Sequence, residues 1–215
     1  MPNPAEVITV TLGGLTFRTG RRTAAHIEYT IERLFALQPD ARLNIFQGSY
    51  NDGVAASAGT HDFDGVIDLE IVNVDWLQAQ RHLRNLGWAA WWRRPDQGFS
   101  NHVHAISLGC PGPVGEFVPR QIDDYWNRRD GLAGHKPDLS FFPKDIASTI
   151  FDYPRWLRDQ EDKVPYSDWP QADKNALVAD VAKKVLGSTF KVNRGTPAER
   201  ELNVAQALRE LIQRT

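Results

Sequence analysis

The 215-residue chain carries a formal net charge of −2, with 41% hydrophobic and 24% charged residues, and its pI lies near 6.3. This length suits one compact core plus an appendage, and the balanced charge gives no basic footprint, so nucleic acid is disfavoured as a partner. No apolar run approaches the ~18 residues of a membrane span, and the single cysteine, Cys110, excludes an intrachain disulfide or a cysteine-rich metal site. The start of the sequence lacks the features of a signal peptide, so we expect synthesis in the cytoplasm.

Strands and helices are both predicted along the first two thirds of the chain. Apolar alternation and β-branched residues predict strands or hairpins at 7–17, 43–46, 66–72, 88–93 and 102–108. Apolar residues at helical spacing predict helices at 23–37, at 76–86 and at about 118–129. Asp75 and Gly87 are typical caps for the second of these helices. His135 falls in a predicted loop, where we expect it to be solvated.

The composition of the chain changes after Pro143. Helices are predicted at about 168–186 and 196–213, and the second begins with a capping box that has proline at its first helical position. We therefore divide the chain into a domain of catalytic size, residues 1–145, and a helical C-terminal extension, residues 146–215.

Four side chains form a candidate metal site. Asp68 lies on an apolar strand, where a buried carboxylate is costly unless something neutralises it. His102 and His104 lie two residues apart on a second strand and therefore on one side of it, so that one can bind metal while the other faces an open coordination position. His61 precedes them, and zinc in catalytic sites usually takes three such ligands. Each residue could instead be an ordinary hydrogen-bonded polar group, but their conjunction favours a metal site.

The order of these residues carries a family resemblance. His61, six intervening residues, Asp68 and then His-x-His resemble the zinc peptidases that include lysostaphin-type endopeptidases, D-Ala-D-Ala carboxypeptidases and the hedgehog signalling domain. Residues 47–50, 57–61 and 65–69 are similar to the D-Ala-D-Ala carboxypeptidase branch, which also contains many phage endolysins. The likeness extends over residues from about 40 to 140.

The resemblance implies a fold and a division of roles among the four side chains. The fold would be α+β, a small antiparallel sheet with flanking helices, and residues 1–145 would be the catalytic domain. His61, Asp68 and His104 would hold Zn²⁺. His102 would be the catalytic residue, pointing at the attacking water or the developing oxyanion.

The resemblance also implies a substrate pocket. Gln47, Ser57 and Thr60 would line it and hydrogen-bond a peptide carboxylate or carbonyl. Many members of the branch have an arginine near the position of Gln47 and a glutamate where this chain has Asn101, so the sequence leaves the general base open. An amide clamps a carboxylate less well than a guanidinium does, which favours an endopeptidase over a carboxypeptidase.

From the resemblance we expect a zinc-dependent peptidase of the phage endolysin type that hydrolyses peptide bonds in bacterial peptidoglycan and acts at the cell wall. The alternative is a non-catalytic, zinc-stabilised module that binds the cell wall or serves a structural purpose. The absence of a glutamate at Asn101 keeps this alternative open.

Overall fold

The computed structural model describes residues 3–12, 14–51 and 59–161. In these ranges the elements are β1 (Val7–Leu12), β2 (Leu15–Gly20), α1 (Arg21–Leu37), β3 (Arg42–Gln47), β4 (Val66–Val72), α2 (Trp76–Asn85), β5 (Trp88–Arg93), β6 (His102–Ser107), α3 (Val118–Trp126) and α4 (Tyr153–Glu161). Short 3₁₀ turns lie at Pro95–Gln97 and Ala147–Thr149. The predicted α+β class, a small antiparallel sheet with flanking helices, is confirmed. The helices predicted at 168–186 and 196–213 lie outside the described residues.

The four-stranded sheet has the order β3-β4-β6-β5, and every neighbouring pair is antiparallel. β1 and β2 form a separate hairpin. In the central pair, Asp68 of β4 lies directly opposite His104 of β6. On its other side Asp68 is paired with Gln47, after a register shift in β3 that follows Ile45. The register therefore brings three residues of the predicted site side by side.

Apolar side chains cover both faces of the sheet. One face packs on α1 and α2 and contributes Ile67, Leu69, Trp88, Val103 and Ala105 to a cluster of buried residues. The other face packs on α3 and contributes Val66, Ala89, Trp91 and Ile106 to a second cluster. Because side chains alternate along a strand, Asp68 and His104 fall on the second face, each next but one to a buried apolar residue. The predicted site thus lies on the sheet face that packs on α3, beside the apolar residues of that face.

Helix ends follow local capping chemistry. The Asp75 carboxylate accepts hydrogen bonds from the backbone N–H groups of Leu77 and Gln78, and so caps α2 as predicted. α3 ends at Trp126, three residues earlier than predicted, because Arg128 adopts the left-handed conformation with φ of 55°. That conformation breaks the helical backbone geometry.

The chain divides into units of residues 1–157 and 158–215. Ile146 packs in the apolar cluster under α3, and Phe151 and Tyr153 pack with Ala25 of α1. The first unit therefore includes residues beyond 145. The predicted division of labour between a catalytic domain and a helical extension stays a prediction.

A buried histidine on α1 links the helix to the sheet. His26 is stacked between Trp88 and Phe151, with ring centroids 4.1 and 4.7 Å away. Its Nε2 donates to the Leu86 carbonyl at 2.7 Å, so Nδ1 accepts from the Ser107 hydroxyl at 2.8 Å. Burial lowers the pKa of His26 to about 3, because this enclosed ring cannot be solvated when charged.

We expect His26 to make the protein sensitive to mild acid. Its pKa is below the usual value near 6.5, so between pH 6.5 and about 3 the unfolded chain binds a proton that the folded chain does not. The free energy of unfolding should therefore fall by about 1.4 kcal/mol per pH unit from this group as the pH drops below 6.5. Urea unfolding of wild type and His26→Gln at pH 7, 6 and 5, with chelator present, measures the difference in slope. Equal pH dependences of the free energy of unfolding in the two proteins would contradict this role of His26.

Candidate metal centre

Three predicted ligands converge in the first unit. His61 lies in the loop before β4, Asp68 on β4 and His104 on β6. Asp68 Oδ1 is 2.8 Å from His104 Nδ1 and 3.3 Å from His61 Nε2. The three candidate ligand atoms all lie within 4.8 Å of one another. This group can hold a metal ion.

The orientation of His61 points its free lone pair into the site. Its Nδ1 lies 3.0 Å from the Gly48 carbonyl oxygen, which can only accept, so Nδ1 carries the proton. In the neutral ring Nε2 then has a lone pair. His61 is only 1% exposed, and Nε2 has no hydrogen-bond partner among the described residues. It faces a carboxylate oxygen, another acceptor, and a cation between the two would satisfy both.

His104 contacts Asp68 through one ring nitrogen and Gln121 through the other. Gln121 donates through Nε2 to the Gly131 carbonyl at 3.3 Å, which turns its Oε1 towards His104 Nε2, also at 3.3 Å. The ionised Asp68 carboxylate only accepts hydrogen bonds, so His104 Nδ1, 2.8 Å from Asp68 Oδ1, carries the proton and donates to it. Burial lowers the pKa of His104 and disfavours a doubly protonated ring. A metal ion at Nδ1 would displace this proton, and Gln121 Oε1 would then accept a hydrogen bond from Nε2.

The Asp68 carboxylate is ionised despite its position. Burial alone would raise its pKa, but the hydrogen bond from His104 and the charge interactions with His104 and His61 outweigh burial and hold the pKa well below its usual range. The donor set is therefore two imidazole nitrogens and one anionic oxygen. Such a set suits divalent transition metals. Hydrogen bonds on the far side of both rings are also typical of metal-ligating histidines.

His102 lies beside the three ligands. Its Nδ1 donates to the Ser100 carbonyl at 2.8 Å, so its Nε2 is the nitrogen free to react. That atom is 3.6 Å from Asp68 Oδ2, whereas His61 and His104 lie closest to Oδ1. The structure thus places His102 next to the ligand group and not within it. Its catalytic role stays a prediction.

The predicted substrate residues are distributed around this group. Gln47 and Thr60 line the same cleft as the ligands, whereas Ser57 lies outside the described residues. Asn101 also lines the cleft, and its side-chain oxygen accepts a hydrogen bond from Trp92 Nε1 at 3.1 Å. An amide cannot act as a general base, so this position supplies no proton acceptor. The binding roles of the other three stay predictions.

Sequence reasoning missed one wall of the cleft. The cleft has a volume of about 820 Å³, and α3 with its following loop adds Arg120, Gln121, Asp124 and His135 to its lining. His135, expected in solvent, is 39% exposed at its side chain and lies 2.8 Å from both carboxylate oxygens of Asp124. These residues are distant in sequence from the motif. The spacing of Arg120, Gln121 and Asp124 on one side of a helix was their only local signal.

No protein-family model, curated protein or solved structure matches the chain. The resemblance to zinc peptidases therefore stays a prediction that rests on its motif residues. In residues 3–12, 14–51 and 59–161 there is no helix with the length and apolar character needed to cross a membrane.

We expect a divalent metal to stabilise the folded protein through Asp68. Because a ligand that binds only the folded state adds RT ln(1 + [L]/Kd), Zn²⁺ at a hundredfold excess over Kd should add about 2.7 kcal/mol. Thermal unfolding with and without Zn²⁺ measures the effect. Asp68→Asn should abolish the shift, whereas Asp40→Asn, at an exposed position away from the cleft, should keep it. A shift that survives Asp68→Asn would place the metal elsewhere.

We also expect Gln121 to tune the metal affinity. Loss of a hydrogen-bond partner behind a metal-ligating histidine typically costs 10- to 100-fold in affinity, so Gln121→Leu should weaken Zn²⁺ binding by roughly that factor. Competition with a chelating dye measures the dissociation constant. Gln78→Leu makes the same change at an exposed site on α2 and should leave the constant unaltered. Equal affinities of the two variants would remove Gln121 from the site.

Proposed function

We propose that the protein is a zinc-dependent peptidase of the phage endolysin type that hydrolyses peptide bonds in bacterial peptidoglycan. The observation that carries this proposal is the convergence of two imidazole nitrogens and a carboxylate at the wall of an open cleft. Catalytic zinc sites have three such protein ligands and a free coordination position. The order of the motif residues along the chain supports the same assignment.

The chemistry that zinc supplies when bound is polarisation of the scissile carbonyl and a lowered pKa of water. The chain itself must move protons. His102 is held by the Ser100 carbonyl so that Nε2 can take a proton from the attacking water. The resulting imidazolium is stabilised by Asp68, 3.6 Å away. As the C–N bond breaks, the leaving nitrogen needs one proton, and His102 returns the one that it took.

The cleft suits an extended peptide. Gln47 and Thr60 lie at its β3 side, where amide and hydroxyl groups can hydrogen-bond a peptide backbone. Apolar contact is offered by Phe46, Phe99 and Phe117, which line the cleft around the polar centre. In this proposal the protein is made in the cytoplasm and meets its substrate at the cell wall.

One observation favours a second candidate, a non-catalytic zinc-stabilised module that binds the cell wall or serves a structural purpose. Asn101 stands where the resemblance leads us to expect a glutamate, and its oxygen is engaged by Trp92. A site without that carboxylate can still hold zinc and a wall fragment.

Digestion of purified peptidoglycan separates the two candidates. Zinc-loaded wild type should release new amino groups, and His102→Ala should lower kcat by about 10²- to 10⁴-fold, the range for loss of a proton-transfer group, with an unchanged zinc content. His82→Ala, on α2 outside the cleft, should keep full activity. Binding of wall fragments without release of amines would favour the second candidate. Mass spectrometry of the products identifies the bond that is cut.

A further inference from the structure

Arg120 presents a fixed positive charge in the cleft. The residue is on α3, and its Nη2 donates to His135 Nε2 at 3.1 Å. Its guanidinium also lies 5.9 Å from the Phe117 ring. A guanidinium has five N–H donors, and in the part of the chain that the structure describes His135 is its one hydrogen-bond partner. Most of its donors are therefore available to a ligand.

A chain of hydrogen bonds holds this guanidinium in place. Asp124 is only 2% exposed, and both of its oxygens lie 2.8 Å from His135 Nδ1, so that Nδ1 donates and Nε2 accepts from Arg120. Arg129 Nη1 lies 3.5 Å from the same carboxylate. His135 has a φ of 46°, which is uncommon outside glycine. A side chain ordered before binding loses less conformational entropy when it binds.

Two other charged side chains that line the cleft, Asp124 and Arg93, already have partners. Asp124 has His135 and Arg129 as partners. The Arg93 guanidinium donates to the carbonyls of Asp130 and Gly131, and although burial lowers its pKa to about 10 it remains charged near neutral pH. Among the described residues that line the cleft, Arg120 is therefore a cation whose guanidinium keeps several N–H donors for a ligand. Its planar fork matches a carboxylate, which it can bind through two parallel hydrogen bonds.

We propose that Arg120 binds a carboxylate group of the substrate, with His135 and Asp124 as positioning residues. This inference rests on the proposed function, since it takes a stem peptide as the ligand. It also changes the expectation drawn from Gln47. This residue stands where many members of the family branch have an arginine, so β3 supplies no guanidinium for a substrate carboxylate. The guanidinium comes instead from α3, which packs against β5 at the other edge of the sheet.

Stem peptides carry carboxylates at two kinds of position, and paired amides separate them. The probes are a stem pentapeptide that ends in D-Ala-D-Ala, the same peptide with a C-terminal amide, and the same peptide with the α-carboxylate of its D-Glu amidated. Zinc-loaded wild type should bind one of the two amides roughly 10- to 100-fold more weakly than the parent, the range for a hydrogen bond to a charged group. Dissociation constants and KM values both report this ratio.

Variants of Arg120 then test whether its guanidinium causes this difference in affinity between the parent peptide and the amide. Arg120→Gln should lower the ratio to about one without loss of zinc, and Arg120→Lys should give an intermediate ratio because it keeps the charge but lacks the fork. Arg81→Gln removes the same charge from an exposed position on α2 outside the cleft and should preserve the ratio. His135→Ala should reduce it in part.

The outcomes distinguish this inference from the proposed function. If wild type binds the parent peptide and both amides equally, or if Arg120→Gln keeps the full ratio, the role of Arg120 is wrong, and the peptidase proposal stands as long as the parent peptide is cleaved. If the peptide binds with the expected ratio and is never cleaved, the peptidase proposal fails and the role of Arg120 stands. If no probe binds, the role of Arg120 is wrong as well.

Discussion

The carboxylate of Asp68 is the constraint on which the site depends. It lies on β4, the strand between β3 and β6, next but one to Val66 in an apolar cluster. A charge in such a place requires compensation. The sheet register supplies His104 directly opposite, and the loop before β4 supplies His61. The two rings and the carboxylate therefore form one unit, and their arrangement follows from strand pairing more than from any loop.

Backbone and amide oxygens on the far side of the imidazole rings orient the rings towards the site. The Gly48 and Ser100 carbonyls accept hydrogen bonds from His61 and His102, and Gln121 Oε1 lies 3.3 Å from His104 Nε2. Gly48 has no side chain, and a Cβ there would overlap the Phe17 ring, so a glycine is needed where this part of the backbone packs against Phe17. These contacts connect the three rings to the residue that follows β3, to the turn before β6 and to α3. Hydrogen bonds of this kind orient metal ligands and raise their basicity.

The sequence patterns correctly predicted features that depend on neighbouring residues, such as the strand that carries Asp68. Alternation placed Asp68 on a buried strand, and the two-residue spacing of His102 and His104 put both on one side of β6. α4 was not predicted, although Asp152 accepts a hydrogen bond from the Arg155 backbone and is followed by Tyr153-Pro154, a helix start that could have been recognised. The contacts of Gln121 and His135 depend on how α3 packs against the sheet. No periodicity in the sequence encodes that packing, so this wall of the cleft could not be predicted.

The openness of the site bears on whether it serves catalysis or stability. A structural zinc site is closed by four protein ligands, whereas a catalytic one keeps a position for water or substrate. In the described ranges the group of candidate ligands contains three members, and all three line a cleft that also holds His102 and Arg120. If a metal ion served only to stabilise the fold, a fourth protein ligand would add stability. A purely structural site would also not require the ordered Arg120 guanidinium in the same cleft. The three candidate ligands, His102 and the pre-ordered Arg120 guanidinium line one cleft, and this arrangement supports the proposal that a ligand binds and reacts there.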